Sequence, residues 1–407
     1  MKNFDIIVIG GGVAGCGAAI SAARRGAKVL LAERQGFLGG CSTASLVSPF
    51  MSHKTSDGKV LVEGIFAELT HRLRDRDGML ANAFDSEIMK EVLADFVAES
   101  GAELLLRAHL TDVREGYTVT FNGNTTIKAK FLIDCTGNAS AAAMLGAEFL
   151  PAKEYQSVTL MFDMAGVDEE RVLAYAKTCP DNFLYPKMTD FDDPAEMSRG
   201  IYTVAGFFDE VAAAKAAGEY CVPGDMIFFI PRPRRGEVCF NTTHASVSDP
   251  NDPFELTRAE RETRKQAREI ESFVRKYVPG FENAYIARIA DEVGVRESRR
   301  ILGEYILTEE DVVTGRKFDD CVCRSAYPID VHTMDGYIKD GIMSSAPPAG
   351  DWYEIPLRCL MPRGMKNILV AGKCLSATRP AQGSARIMPN CIAMGEAAGL
   401  YAAEKTR

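Results

Sequence analysis

Phe4-Asp5-Ile6-Ile7-Val8-Ile9-Gly10-Gly11-Gly12-Val13-Ala14-Gly15 is the stretch that decides the fold. Phe4 to Ile9 reads as a buried strand. Gly10 permits a tight turn out of it, Gly12 lets a diphosphate come close to the backbone, and Gly15 lets helix and strand pack closely. From about Val13 to Gly26 an alanine-rich helix follows, carrying Ala18, Ala19, Ala22 and Ala23. Its N-terminus presents unpaired N–H groups and a positive dipole end to the turn, which is how a diphosphate is held. A second strand, Lys28 to Ala32, ends at Glu33. That is about 20 residues past the glycines, where a carboxylate accepts both hydroxyls of a ribose and repels a 2′-phosphate. A lone glycine fingerprint is weak, but here strand, glycines, helix and acidic end fall in register. The expected class is α/β: a Rossmann-like nucleotide domain with a parallel central sheet, plus an inserted mixed α+β substrate domain.

Working outward, 407 residues with 46% hydrophobic and 25% charged allow two or so domains. A net charge of -9, without a Lys/Arg-rich run, argues against nucleic acid or anionic lipid as partners. No run approaches the roughly 20 apolar residues of a membrane helix. Met1-Lys2-Asn3 leads straight into the strand, so no signal peptide and a cytoplasmic location are expected. The 11 cysteines include no C-x-x-C pair and read as reduced, mostly buried thiols, and no metal site is expected.

On these grounds the first unit accepts NAD or FAD equally, and other segments must decide. Arg34 and then Gly39-Gly40-Cys41-Ser42-Thr43 follow Glu33. Phe131-Leu132-Ile133-Asp134-Cys135-Thr136-Gly137 reads as a strand ending in Thr-Gly, and Asn367-Ile368-Leu369-Val370-Ala371-Gly372 as another ending in Gly. A long Ala/Gly helix runs from about Pro389 to Lys405, with Pro389 in its first turn. No second glycine fingerprint occurs between 150 and 350, so an internal NAD(P)H domain is not expected.

With these runs, and with Gly294-Val295-Arg296-Glu297-Ser298-Arg299-Arg300-Ile301, Tyr327-Pro328-Ile329-Asp330-Val331-His332 and Ala371 through Gly399, the chain resembles the two-dinucleotide-binding-domain flavoproteins. More narrowly it resembles the bacterial FAD-dependent oxidoreductase family, least so between about 150 and 290. The resemblance implies FAD, with Gly10, Gly12, Val13, Ala14 and Gly15 at the pyrophosphate and Glu33 and Arg34 at the adenosine ribose. It puts Gly39, Gly40, Cys41 and Ser42 along the ribityl side, and Leu110 beside the adenine, in the strand after a helix from about Ser86 to Glu99. Thr136 and Gly137 would close over the pyrophosphate, and Gly372 would approach the ribityl chain. The helix start at Met388 to Asn390 would face N1 and O2 of the isoalloxazine, stabilising reduced flavin. Lys373 departs from the superfamily, which commonly has an Asp after the glycine matching Gly372.

Five histidines are available for proton transfer. His332, beside the Tyr327–His332 signature, is the first choice and His244 the second. His71 and His109 read as surface or fold residues. Arg296 sits in a cluster with Arg299 and Arg300, whose forks suit a carboxylate or sugar-acid substrate. The competing reading is an internal salt-bridge cluster with Glu297, Glu304 or Asp291. Arg386 is expected to touch flavin or substrate, whereas Arg232, Arg234 and Arg235 read as a surface loop. Cys41 has no partner at the C-x-x-x-x-C spacing, so a disulfide reductase is not expected.

The FAD domain is expected to be split, residues 1–150 and 353–407, around a substrate domain of 151–352. Within the latter, strands are expected at Ser157–Met164, Asp225–Ile230 and Glu237–Thr242, a charged helix at Asp252–Tyr277 and a lid at Asp181–Arg199. The resulting expectation is an FAD-dependent oxidoreductase exchanging a hydride between flavin N5 and a small polar substrate, with a separate electron donor or acceptor. A homodimer is expected. The alternatives are an NAD-linked dehydrogenase and a flavin-bearing nucleic-acid-binding or assembly protein.

Overall fold

The first strand, β1 (Lys2–Ile9), lies between two parallel neighbours, Val29–Ala32 and Thr125–Asp134. Ile6, Ile7, Val8 and Ile9 are buried, as a central parallel strand covered on both faces requires. The computed structural model describes residues 2–185, 203–332 and 345–407. The sheet continues in parallel to Glu103–Leu105 on one side. On the other, the long strand Thr125–Asp134 shares its edge between Ile368–Val370, which is parallel, and an antiparallel meander of Thr118–Phe121 and Leu110–Arg114. The sheet therefore takes strands from both ends of the chain.

Helix α1 (Val13–Arg24) packs along the last helix, Met388–Thr406. A Cβ on Gly395 or Gly399 would run into the Ala14 or Ala18 carbonyl, so these glycines set the close approach of the two helices. The six-stranded second sheet is antiparallel throughout, built from strands between Phe162 and Ile289. Phe162 stacks on Phe240 at 5.0 Å within its core. The helix Pro253–Tyr277 covers it with Ala267, Ile270, Phe273 and Val274. Asp252 caps that helix by accepting from the Phe254 N–H, and Pro253 follows where its missing N–H costs nothing.

Three expectations need correction. The strand at Ser157–Met164 starts only at Phe162; Val158 and Thr159 make single bridges, to Ala245 and to Gly294, which tie this segment to two different partners. The strand after the helix Ser86–Ser100 is Glu103–Leu105, and Leu110 opens the next, antiparallel one opposite Phe121. Arg232 is no surface residue: it is 4% exposed, pairs with Asp163 at 2.8 Å and donates to the Phe84 and Leu46 carbonyls. Its neighbours Arg234 and Arg235 are exposed, as expected. The lid expected at Asp181–Arg199 lies, beyond Tyr185, outside the described residues.

Candidate active site

Two groups of residues meet at the carboxyl ends of the parallel strands. The first is a cradle. Gly10 turns with φ +101°, and a Cβ there would collide with the Cys135 carbonyl; a Cβ on Gly15 would collide with the Gly10 carbonyl. Both positions therefore demand glycine. Gly12 precedes α1 without a side-chain cap, which leaves the first-turn N–H groups open. A Cβ on Gly12 would meet nothing nearer than the Gly40 Cα at 3.9 Å, so there is room beside it at the start of α1, while Val13 and Ala14 behind it are buried. The Gly39 N–H donates to the Gly11 carbonyl at 2.8 Å and folds the second glycine pair over the first.

Glu33 is buried and accepts from the Gly11 N–H at 2.5 Å and the Gln35 N–H at 2.7 Å. The carboxylate is thus fixed beside the turn. Arg34 points outward and pairs with Glu292. It also lines a hollow of about 490 Å³ with Gln35, Gly36, Phe37, Arg107 and His109. Leu110 does not line that hollow; it is half-buried against the core of the meander.

Cys41 is exposed on the turn Gly40–Ser42, while Ser42 is buried and donates to the Gly39 carbonyl. Thr136 donates to Asp134, which also accepts from the Ala142 N–H, so a buried carboxylate holds the Thr136–Gly137 loop in place. Burial pushes the Asp134 carboxyl up, against these hydrogen bonds. The Gly137 carbonyl accepts from Ser298 at 3.0 Å. Gly372 has φ +103°, and a Cβ on it would be 3.5 Å from that of Ala14. In the last helix Met388 is half-buried. Asn390 is fully buried, with its amide on Ser325 at 3.0 Å and Cys323 at 3.5 Å, so it offers the helix start no side chain.

The second group centres on Asp330. His332 Nε2 lies 3.1 Å from its Oδ1, and Arg386 Nη2 and the Tyr327 hydroxyl lie 3.3 and 3.1 Å from its Oδ2. Gln156 Oε1 accepts from the His332 N–H at 3.1 Å and from Arg386 at 3.5 Å. Burial pushes His332 down to about 4, with Arg296 adding to it and Asp330 opposing. Burial alone would push the Asp330 carboxyl up, but His332, Arg386 and Arg296 outweigh it and hold it well below the usual carboxylate range. His244 is also pushed down to about 4, first by burial and then by Arg296, with His332 contributing. The three residues expected to be catalytic therefore lie within electrostatic reach of one another.

Arg296 donates to the Ser157 carbonyl and Thr159 hydroxyl, both at 2.7 Å, and to Asn241 at 3.2 Å. Its neighbours do otherwise. Arg300 lies 3.5 Å from buried Glu297, which also pairs with Arg379 at 3.1 Å, while Arg299 lies over the Phe149 ring. The internal salt bridge thus belongs to Arg300 and Arg379, and Arg296 belongs to the site. The Gln382 amide donates to the carbonyls of Arg296 at 3.2 Å and Lys373 at 3.3 Å, fastening the polar group to the cradle.

Asp330, Gln156 and Tyr327 escaped the sequence reading as functional groups. Asp330 had a usable signal: in an extended segment residues two apart share a face, so Asp330 and His332 point the same way. Gln156 had none.

Residues 5–407 match the family model described as FAD dependent oxidoreductase. Short similarities occur to the mitochondrial glycerol-3-phosphate dehydrogenase of Rattus norvegicus, 55% identical over 44 residues, and to the aerobic glycerol-3-phosphate dehydrogenase of Bacillus subtilis, 50% over 44. Each covers 11% of this chain, and they span only 6% and 8% of those two proteins. Among solved structures, a geranylgeranyl bacteriochlorophyll reductase-like protein of Thermoplasma acidophilum aligns over 100% of this chain and 78% of its own, at 15% identity and TM-score 0.48. A flavin-dependent brominase aligns over 100% and 79%, at 12% identity and TM-score 0.48.

Proposed function

Because this chain belongs to the FAD-dependent oxidoreductase family, we propose that it exchanges a hydride between its flavin and a small polar organic substrate, with His332 handling the proton. FAD is the cofactor, and the glycine cradle with its open first turn fits a diphosphate. When bound, FAD supplies two-electron exchange. The protein's part is to hold the substrate and move its proton. Asp330 lies 3.1 Å from His332 Nε2 and orients the imidazole. With its pKa pushed down to about 4, His332 stays neutral, and so able to accept a proton, across the physiological range. Arg296, Arg386, Gln156 and His244 surround it with polar groups, which favours a substrate rich in hydroxyl or carboxylate.

The observation that carries this reading is the His332–Asp330 pair set between two arginines and fastened to the cradle. In keeping with it, residues 1–150 and 353–407 form the FAD-binding part and 151–352 the part that contacts substrate. A separate molecule completes the electron exchange, and the chain works as a homodimer. The test is anaerobic reduction of the yellow holoenzyme by a panel of sugars, hydroxy acids and amines, followed at the visible flavin band. His332→Gln is expected to slow bleaching by roughly 10²- to 10⁴-fold with the active substrate. An unchanged rate removes the assigned base.

A further inference from the structure

Lys373 stands where an acidic residue is common, directly after Gly372, and its surroundings are unusual for a lysine. It is half-buried. Its ammonium donates to the Val295 carbonyl, and among the described residues it pairs with no carboxylate. An ammonium has three donors, and a partly buried one without a counter-ion is costly. The nearby acid Asp134 is fully buried and directed to Thr136 and the Ala142 N–H rather than to the lysine. The lysine is also hemmed in by another positive end. Gly372 abuts Ala14 in the first turn of α1, and the Lys373 Cε lies 3.2 Å from where a Cβ on Gly137 would stand. The Gly372–Lys373 turn thus sits against the uncapped N-terminus of α1, and among the described residues no carboxylate pairs with the lysine.

We propose that Lys373 is a cofactor-binding residue that gives its charge to the diphosphate of FAD. It takes the place of a carboxylate–ribityl hydrogen bond with a cation–phosphate contact. The contact secures the cofactor rather than tuning the ring, because the lysine stem runs beside Gly137 and its neighbour Gly372 abuts Ala14 in the first turn of α1. This rests on FAD being the cofactor; FAD released from the denatured wild-type protein and identified by its mass establishes that much whatever becomes of Lys373.

The test follows release of FAD from the holoenzyme on dilution, read as the rise in flavin fluorescence, together with the midpoint potential of the bound flavin. Lys373→Gln is expected to weaken FAD retention by roughly 10- to 100-fold, the loss of one charge-assisted hydrogen bond. The potential should stay where it was, and Lys373→Arg should keep retention near wild type. Retention unchanged in Lys373→Gln overturns the proposal, and a lowered potential with unchanged retention assigns the lysine to the ring instead. The wild type gives a second arm that needs no variant: FAD release must quicken as KCl is raised, and release indifferent to salt overturns the proposal too.

Discussion

Acid should weaken this protein through His332 and His244 before any carboxylate pair is broken. In the unfolded chain each histidine takes up a proton near pH 6.5; in the folded state each refuses it until about 4. The unfolded state therefore binds more protons between those values. Stability falls as the pH drops from about 6.5 to about 4 and levels off below. Between pH 7 and pH 5 the loss works out at about 2 kcal/mol for each histidine, a substantial part of an ordinary domain's stability. Asp330 does not share in this window, because its carboxyl is held below its ordinary value of 3.8. Glu169 and Glu396 act the opposite way: burial raises both carboxyls, so the folded state takes their protons first and gains from acid.

A single pH curve mixes these effects, so the measurement must be a difference. Urea unfolding of wild type and His332→Gln, each at pH 7 and pH 5 with FAD in excess, isolates the one group. The variant should be less sensitive to acid by about 2 kcal/mol, whatever its stability at pH 7. Equal acid sensitivity in the two proteins would mean that His332 is protonated in the folded state at pH 5. That would refute the picture of a neutral imidazole kept so by burial and Arg296.

Three further outcomes follow from the geometry. Gly15→Ala should abolish folded yellow protein, since the new methyl overlaps the Gly10 carbonyl; normal expression with full flavin content would contradict the turn described here. Arg232→Met should cost about 3–5 kcal/mol in urea unfolding, because it strands Asp163 and two buried carbonyls; a loss under about 1 kcal/mol would mean the pair is solvated. Glu33→Ala should raise the dissociation constant of FAD at least tenfold by removing the ribose acceptor and freeing the Gly11 and Gln35 N–H groups; fluorescence titration showing unchanged affinity would take Glu33 out of the site.

The cradle could be read from the sequence because its constraints are local. Gly10 and Gly15 answer to backbone atoms a few residues away or on the adjoining strand, and the strand–turn–helix frame puts those atoms in the same place each time. Arg232 shows the opposite case. Flanked by prolines and arginines it looks like surface, but its partners are Asp163, Phe84 and Leu46, all far away in the chain. Nothing in its neighbours announces them. Leu110 was misplaced for a related reason: the short strand Glu103–Leu105 comes first and takes the place beside Val29–Ala32.

The polar site lies between these extremes, and its chemistry shows why. His332 was legible as a residue but its state was not. A histidine next to an aspartate in a sequence invites a charged pair, with the imidazole's affinity for protons raised. Here burial is the largest influence on the imidazole and opposes a proton, Arg296 adds to it, and Asp330 pulls the other way without prevailing. Arg386 arrives from 56 residues away and Gln156 from 176. What the structure adds to the sequence is therefore the burial around His332, which holds the imidazole neutral where the sequence alone suggests a charged pair.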